Sequence, residues 1–223
     1  MRFKMLLGVI IFAVAVLFFG TRNVFAFSGS GDGLTSDTAF QITTCTQLQE
    51  MENDLDAYYV LNNDIDCSDT VNWNEEVGFE PIGDSAVKFT GSFNGGENMI
   101  SDLFINRPAG SHIGLFGYSD GADFGNIGLE DVNITGGNYV GGLVGYSFNS
   151  NISNAYSTGS ISGTNTVGGL VGNYSFGNIS NSYSTASVSG TITAGGLVGN
   201  YSFGSITNSY STGSVLVLLA LVV

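Results

Sequence analysis

The chain has 223 residues, with 5 Lys or Arg against 19 Asp or Glu, one His and two Cys. A net charge of −14 supplies nothing to replace the counterions of nucleic acid or to hold an anionic lipid surface, so neither is expected as a partner. Two cysteines and His112 do not by themselves make a zinc site.

Arg2 and Lys4 precede an almost unbroken apolar run, Met5–Phe19, and Val24-Phe25-Ala26 ends it with the small-residue spacing that signal peptidase prefers. Residues 1–26 therefore read as a secretory signal, because the run is shorter than the roughly 20 residues a spanning helix needs. Cleavage before Phe27 would leave Lys88 and Arg107 against 19 acidic groups, a charge of −17. The expected location is secreted or cell-surface, with no membrane insertion after cleavage. In an oxidising compartment Cys45 and Cys67 are expected to form a disulfide, which contributes about 3 kcal/mol for a loop of this size. Two buried free thiols are the alternative.

Residues 27–88 read as an N-terminal cap. Thr44-Cys45-Thr46-Gln47 has capping-box spacing, and Leu48, Met51 and Leu55 fall on one helical face. Tyr58–Leu61 reads as a strand and Asn62–Asp69 as a turn. Asp64, Asp66 and Asp69, beside Asn62 and Asn63, offer oxygen ligands to calcium, the one cofactor considered. They lack the glycine and glutamate spacing of an EF loop, and a solvated turn using local hydrogen bonds is the alternative.

Residues 89–215 are repetitive. Gly-Gly-Leu-Val-Gly recurs at Gly141–Gly145, Gly168–Gly172 and Gly195–Gly199, a period of about 27 residues held over both intervals. A degenerate copy stands at Gly114–Gly117 and a weaker one around Phe89–Gly96. The Gly-Leu starts are thus Gly114, Gly142, Gly169 and Gly196. The same period holds for Ile152/Ile179/Ile206, Asn154/Asn181/Asn208, Tyr156/Tyr183/Tyr210, Thr158/Thr185/Thr212 and Ile161/Val188/Val215. Gly, Ser, Thr, Asn, Tyr, Val and Ile favour strands and turns over helix. Three strands of about five residues with short turns fill one such unit, which predicts an all-β fold: a right-handed, three-sided parallel β-helix. The expected sides are Val167–Tyr174, Asn178–Thr185 and Ser187–Thr193.

Each residue then lies over its own copy, so asparagine amides bond along the axis and tyrosine rings stack. The Leu143/Leu170/Leu197 and Ile152/Ile179/Ile206 columns are expected inside, with Val144 opposite Leu143 because side chains alternate along a strand. Tyr146-Ser147-Phe148 stands one residue earlier in its repeat than Tyr174-Ser175-Phe176, which points to a turn or an outward face there. At residues 216–223 the repeat gives way to an apolar tail, the mark expected of a truncated piece of a longer repeat protein.

Gly-Leu-Val-Gly at this spacing, followed by Ile-Ser-Asn-x-Tyr-Ser-Thr, resembles the GLUG-motif proteins. Gly31-Asp32-Gly33 and Tyr59-Val60-Leu61-Asn62-Asn63-Asp64-Ile65-Asp66 resemble their leading segment. The resemblance implies a bacterial cell-surface β-helix, adhesin-like or set beside an immunoglobulin-A-cleaving metallopeptidase domain. Such a domain needs His-Glu-x-x-His, whereas His112 is the single histidine and Ile113 follows it.

The expected function is therefore structural and adhesive, without catalysis. The columns Tyr156/Tyr183/Tyr210 and Phe176/Phe203 are the candidate face for a surface polysaccharide or extracellular protein, the alternative being that these rings fill the interior or the corners. A carbohydrate-active β-helix enzyme or its polysaccharide-binding module is the second reading. It would draw on Asp120, Asp123, Glu130 and Asp131 near Arg107. An ice-binding Thr-x-Thr ladder at Thr164/Thr166 and Thr191/Thr193 has only two rungs, and threonine is also simply a good strand residue.

Overall fold

In the computed structural model, which describes residues 27–218, residues that recur one repeat apart pair with their own copies along parallel ladders. Strands β1 (Phe40–Ile42), β2 (Tyr58–Leu61), β3 (Ile65–Asp66), β4 (Ser92–Asn94) and β5 (Met99–Ser101) build the first coils. The longer β6 (Phe104–Ile113), β7 (Phe116–Asp120), β8 (Asp123–Val140) and β9 (Val144–Ser162) follow. Shorter strands retrace that path: β10 (Thr166–Gly168), β11 (Val171–Ser180), β12 (Tyr183–Ser184), β13 (Ser187–Gly190), β14 (Thr193–Gly195), β15 (Val198–Tyr201), β16 (Ser205–Thr207), β17 (Tyr210–Ser211) and β18 (Val215–Val217). The result is an all-β parallel solenoid with one small α-helix near its start. The expected secretory signal, residues 1–26, lies outside the described residues.

The expected sides are divided more finely than the sequence reading drew them. Val167–Tyr174 breaks at the Gly169-Leu170 bend, Asn178–Thr185 at Asn181, and Ser187–Thr193 at Thr191 and Ile192. The ladder also reaches back into the segment read as a cap. One column runs Phe40, Tyr59, Phe93, Phe124, Ile152, Ile179 and Ile206. The step along the chain from rung to rung is constant between its last three members. It lengthens steadily on the way back to Tyr59, where loops are inserted between rungs.

The interior changes along the axis. Phe89 packs 4.7 Å from Phe116 and 5.7 Å from Phe124 between ring centroids, and Tyr59 and Phe93 fill the same end. Toward the C-terminus the same space holds Ile152, Ile161, Leu170, Val171, Ile179 and Val188, all buried. Each such side chain contributes about 1.5–3 kcal/mol by leaving water.

The Gly-Gly-Leu-Val-Gly segment corrects one expectation: Leu143 and Val144 do not take opposite faces but are both fully buried. Gly142 and Leu143 form a bend, so strand alternation does not operate between Leu143 and Val144, and both side chains turn inward. The bend lies against the interior serine of the Tyr-Ser-Thr strand in its own coil. A Cβ on Gly169 would stand 2.2 Å from Ser184 Oγ and 2.1 Å from the Gly196 carbonyl oxygen, so only glycine fits. The motif is thus a steric lock between a bare backbone and a small inward hydroxyl.

A second correction concerns the displaced Tyr-Ser-Phe. It lies on neither a turn nor a uniformly outward face, but on paired strands β9 and β11, where Tyr146 pairs with Asn173 and Ser147 with Tyr174. The one-residue offset turns the tyrosine over. Tyr146 stays partly exposed, whereas Tyr174 is fully buried and its hydroxyl donates to the Ser150 carbonyl at 2.7 Å.

Helix α1 (Cys45–Glu50) starts at Thr44, whose hydroxyl accepts from Gln47 N–H at 3.2 Å. Gln47 returns its amide oxygen to the Thr43 N–H at 2.8 Å, one residue further out than a strict capping box. Leu48 and Met51 are buried, and the Cys45–Cys67 disulfide ties the helix to the chain after β3. At the other end β18 keeps register with β13 despite its apolar sequence, Val188 opposite Val215 and Ser189 opposite Leu216.

Candidate functional site

The Tyr-Ser pair of each repeat sits on a strand with serine inward, so tyrosine must face out. Tyr156, Tyr183 and Tyr210 accordingly form a ladder of near-parallel rings, 5.1 Å and 5.3 Å apart with interplanar angles of 3° and 7°. Tyr156 and Tyr183 are partly exposed while the serines beside them, Ser157 and Ser184, are fully buried, so the rings do not fill the interior or the corners. The ladder ends on Gly128, where a Cβ would lie 2.4 Å from the Tyr156 ring. The Tyr156 hydroxyl donates to Glu130 at 2.7 Å, and burial together with that bond raises its pKa well above the ordinary phenol range.

Phe176 and Phe203 stack separately, 5.0 Å apart and 45% and 62% exposed, with Phe148 edge-on to Phe176 at 5.5 Å. Between these strips runs a corner of asparagines. Asn126, Asn154, Asn181 and Asn208 all have φ between 49° and 55°, a left-handed conformation that asparagine tolerates. Their amides bond rung to rung, Asn154 to Asn126 at 2.9 Å and Asn208 to Asn181 at 3.2 Å.

Other sequence candidates do not converge. The segment read as a turn, Asn62–Asp69, contains strand β3, which buries Ile65 and separates the acids around it. Asp64 accepts from the Met99 N–H at 3.0 Å and Asp66 from the Ser68 N–H at 2.8 Å. The hydrogen bonds to Ser68 lower the Asp66 pKa. Among the described residues no three His, Cys, Asp or Glu side chains are placed to hold a metal, so Asp64, Asp66 and Asp69 are not assembled as a calcium site.

The carboxylates of the enzymatic reading have different partners: Asp120 pairs with Lys88 at 3.1 Å, Asp123 accepts from Asn151 at 3.0 Å, and Glu130 accepts from Tyr156. Asp131 sits at φ 52° with its N–H donating to Thr158 Oγ1. Arg107 pairs instead with Glu80. Thr164 and Thr191 fall in bends, so no flat Thr-x-Thr strand forms.

The structure assembles one cluster that the repeat reading passed over. His112 and Tyr139 stack at 5.4 Å and 20°, Tyr118 and Tyr146 lie 4.6 Å apart, and the His112 ring is 5.3 Å from Tyr118 and 5.8 Å from Tyr146. Lys88 Nζ stands 5.0 Å over the Tyr118 ring. The signal was present in the spacing, since His112 and Tyr139 stand one repeat apart along the chain and Tyr118 and Tyr146 only one position more.

The model of the GLUG motif matches residues 136–162, 163–189 and 190–216. Residues 136–216 are thus three consecutive GLUG repeats. Halomucin of Haloquadratum walsbyi is 36% identical over 151 residues, 64% of this chain but 2% of halomucin. A protein described as a candidate Gly-rich membrane protein of Evansella cellulosilytica is 36% identical over 112 residues, 48% of this chain and 13% of its own length. The GLUG-repeat chain therefore spans a small part of both relatives.

Among solved structures, a candidate immunoglobulin A1 protease of Bacteroides ovatus superposes with a TM-score of 0.67 at 23% identity, over 83% of this chain and 59% of that one. At that identity the likeness concerns the solenoid fold. Among the described residues no helix is long and apolar enough to cross a membrane.

Proposed function

We propose that this GLUG-repeat solenoid is a non-catalytic structural module displayed at the cell surface, and that its Tyr156/Tyr183/Tyr210 ladder holds a surface polysaccharide or an extracellular protein. The supporting observation is the ladder itself: parallel, partly exposed rings already fixed by backbone register. Such rings lose little conformational freedom on binding, which favours affinity. Beyond Glu130, which meets the Tyr156 hydroxyl at one end of the ladder, the repeats carry no charged side chain after Asp131, so a partner docks on Tyr183 and Tyr210 without stripping water from ions. The membrane association in the name of the Evansella relative agrees with surface display. The protease in the name of the Bacteroides neighbour is not carried over, because a His-Glu-x-x-His helix needs two histidines and this chain has one.

The test is binding of the purified chain, from Phe27, to immobilised polysaccharides and matrix proteins, with reducing ends assayed in the same wells. Retention that falls in Tyr183→Ser and Tyr210→Ser, without new reducing ends, is the expected result. Release of sugar ends would replace this reading with an enzymatic one.

A further inference from the structure

The most irregular part of the solenoid wall lies beside His112. Register between β6 and β8 slips between Arg107 and Ser111, so Pro108, Ala109 and Gly110 bulge out of the ladder. Bulges of this kind re-aim side chains and gather next to binding sites. The bulge faces the segment that carries Glu80, Pro81 and Asp84, which bridges onto β7 through Ile82 and Phe116. Between them opens a cleft of about 440 Å³, within the range of small-molecule sites.

The walls are held in place. Gln49 of α1 donates to the Glu80 carbonyl at 3.0 Å and accepts the Glu80 N–H at 2.9 Å. The Arg107 side chain pairs with Glu80 across the cleft, and Asp84 accepts from the N–H groups of Ala86 and Val87. His112 and Tyr139, on neighbouring rungs, both adopt left-handed φ, 62° and 53°. Two non-glycine residues held there in succession mark a backbone conformation that the surrounding fold enforces. His112 lines the cleft, and its ring contacts Tyr139, Tyr118 and Tyr146, which form the patch beside it.

We propose that the cleft and this aromatic patch bind an uncharged saccharide chain, independently of the tyrosine ladder. Aromatic faces suit the C–H face of a pyranose, and the Arg107, Glu80, Asp84, Asn106 and Ser111 side chains offer donors and acceptors to its hydroxyls. Charge selects against acidic polymers. Arg107 is offset by Glu80, Lys88 by Asp120, and Asp84 leaves an excess negative charge on a strongly acidic chain. Burial lowers the pKa of His112, which keeps its imidazole neutral and in character with an uncharged ligand.

The experiment uses the disulfide-bonded chain from Phe27 and exploits its one histidine. Imidazole resonances of His112 are followed by NMR while cello-, laminari- and mannohexaose are added, with hexagalacturonate as the acidic probe. The expected result is a saturable shift with at least one neutral hexaose and none with hexagalacturonate. His112→Asn and Tyr139→Asn, which keep a side chain tolerant of left-handed φ, should each weaken binding about tenfold, as loss of one good stacking contact implies; affinities of all variants are read by isothermal titration calorimetry, because His112→Asn removes the imidazole probe. Far-UV circular dichroism checks that both variants keep the fold, and Tyr118→Leu on an ordinary strand φ gives a second test.

Tyr183→Ser should leave the His112 shift unchanged. Absence of any shift at millimolar hexaose, preference for hexagalacturonate, or affinity unaltered in all three patch variants would overturn the proposal. Loss of binding in Tyr183→Ser alone would also overturn it, while supporting the ladder as the binding face.

Discussion

Residues 27–131 and 132–218 follow one solenoid path but are held by different means. The first half contains every acidic side chain, the disulfide, the α-helix and a packed set of phenylalanines, and its rungs are separated by loops of unequal length. The second half is uncharged, keeps a constant period and stacks like on like. Where rungs differ in length, side chains cannot stack on their own copies, and large rings and a covalent tie fill the space. Where rungs are equal, small residues suffice because each coil repeats the same glycine–serine fit. Function divides along the same line. A repeat supplies one residue type on every rung, which makes ladders, whereas a cleft with mixed donors, acceptors and rings needs coils that differ.

The largest effect that would expose this division is in the aromatic end. Phe116→Ala removes a fully buried ring from contacts with Phe89, Phe93 and Phe124 and should cost about 3–5 kcal/mol in urea unfolding. A loss below about 1 kcal/mol would mean that the rings do not carry that half. Next in size is the disulfide. Cys45→Ala with Cys67→Ala should cost about 3 kcal/mol, with faster amide exchange near α1 and unchanged protection in β11 and β13, because coils touch only their neighbours. Equal loss of protection throughout would show that the two halves unfold as one.

In the regular half, Gly169→Ala should cost about 1–3 kcal/mol through overpacking against Ser184 and the Gly196 carbonyl. Gly125→Ala is its control: the nearest atom to an added Cβ is Ser153 Oγ at 3.4 Å, so stability should change by about 0.5 kcal/mol or less. Equal costs at the two sites would remove the glycine–serine lock as the reason for the motif.

These contrasts track what the sequence made legible. A fixed period states which residue lies on which, so the parallel ladders and the stacked tyrosines could be read directly from it. Parity across a bend could not be read, because it depends on the backbone at Gly142-Leu143, and Leu143 and Val144 both turned inward. The flip between Tyr146 and Tyr174 was visible as an offset, but its consequence required knowing that the segment is strand. The separation of Asp64 from Asp66 was not legible either, because it depends on Ile65, an apolar residue between the two acids that the ladder draws into the core. The His112 patch was obscured because His112 and Tyr139 differ in identity at the repeat spacing, while Tyr118 and Tyr146 share identity but stand one position off it.

The smallest predicted effect concerns that patch. His112 is partly buried, which disfavours the imidazolium, while Asp84 opposes the shift more weakly. Its pKa in the folded chain should therefore lie below the unfolded value of 6.5. The unfolded chain binds the proton first as pH falls, so the small contribution of neutral His112 to stability is present above pH 6.5 and lost as pH falls through the folded pKa. The single imidazole makes this directly measurable by NMR titration. A midpoint above 6.5 would mean that Asp84 outweighs burial, and that the patch favours the imidazolium over a neutral partner for Tyr139.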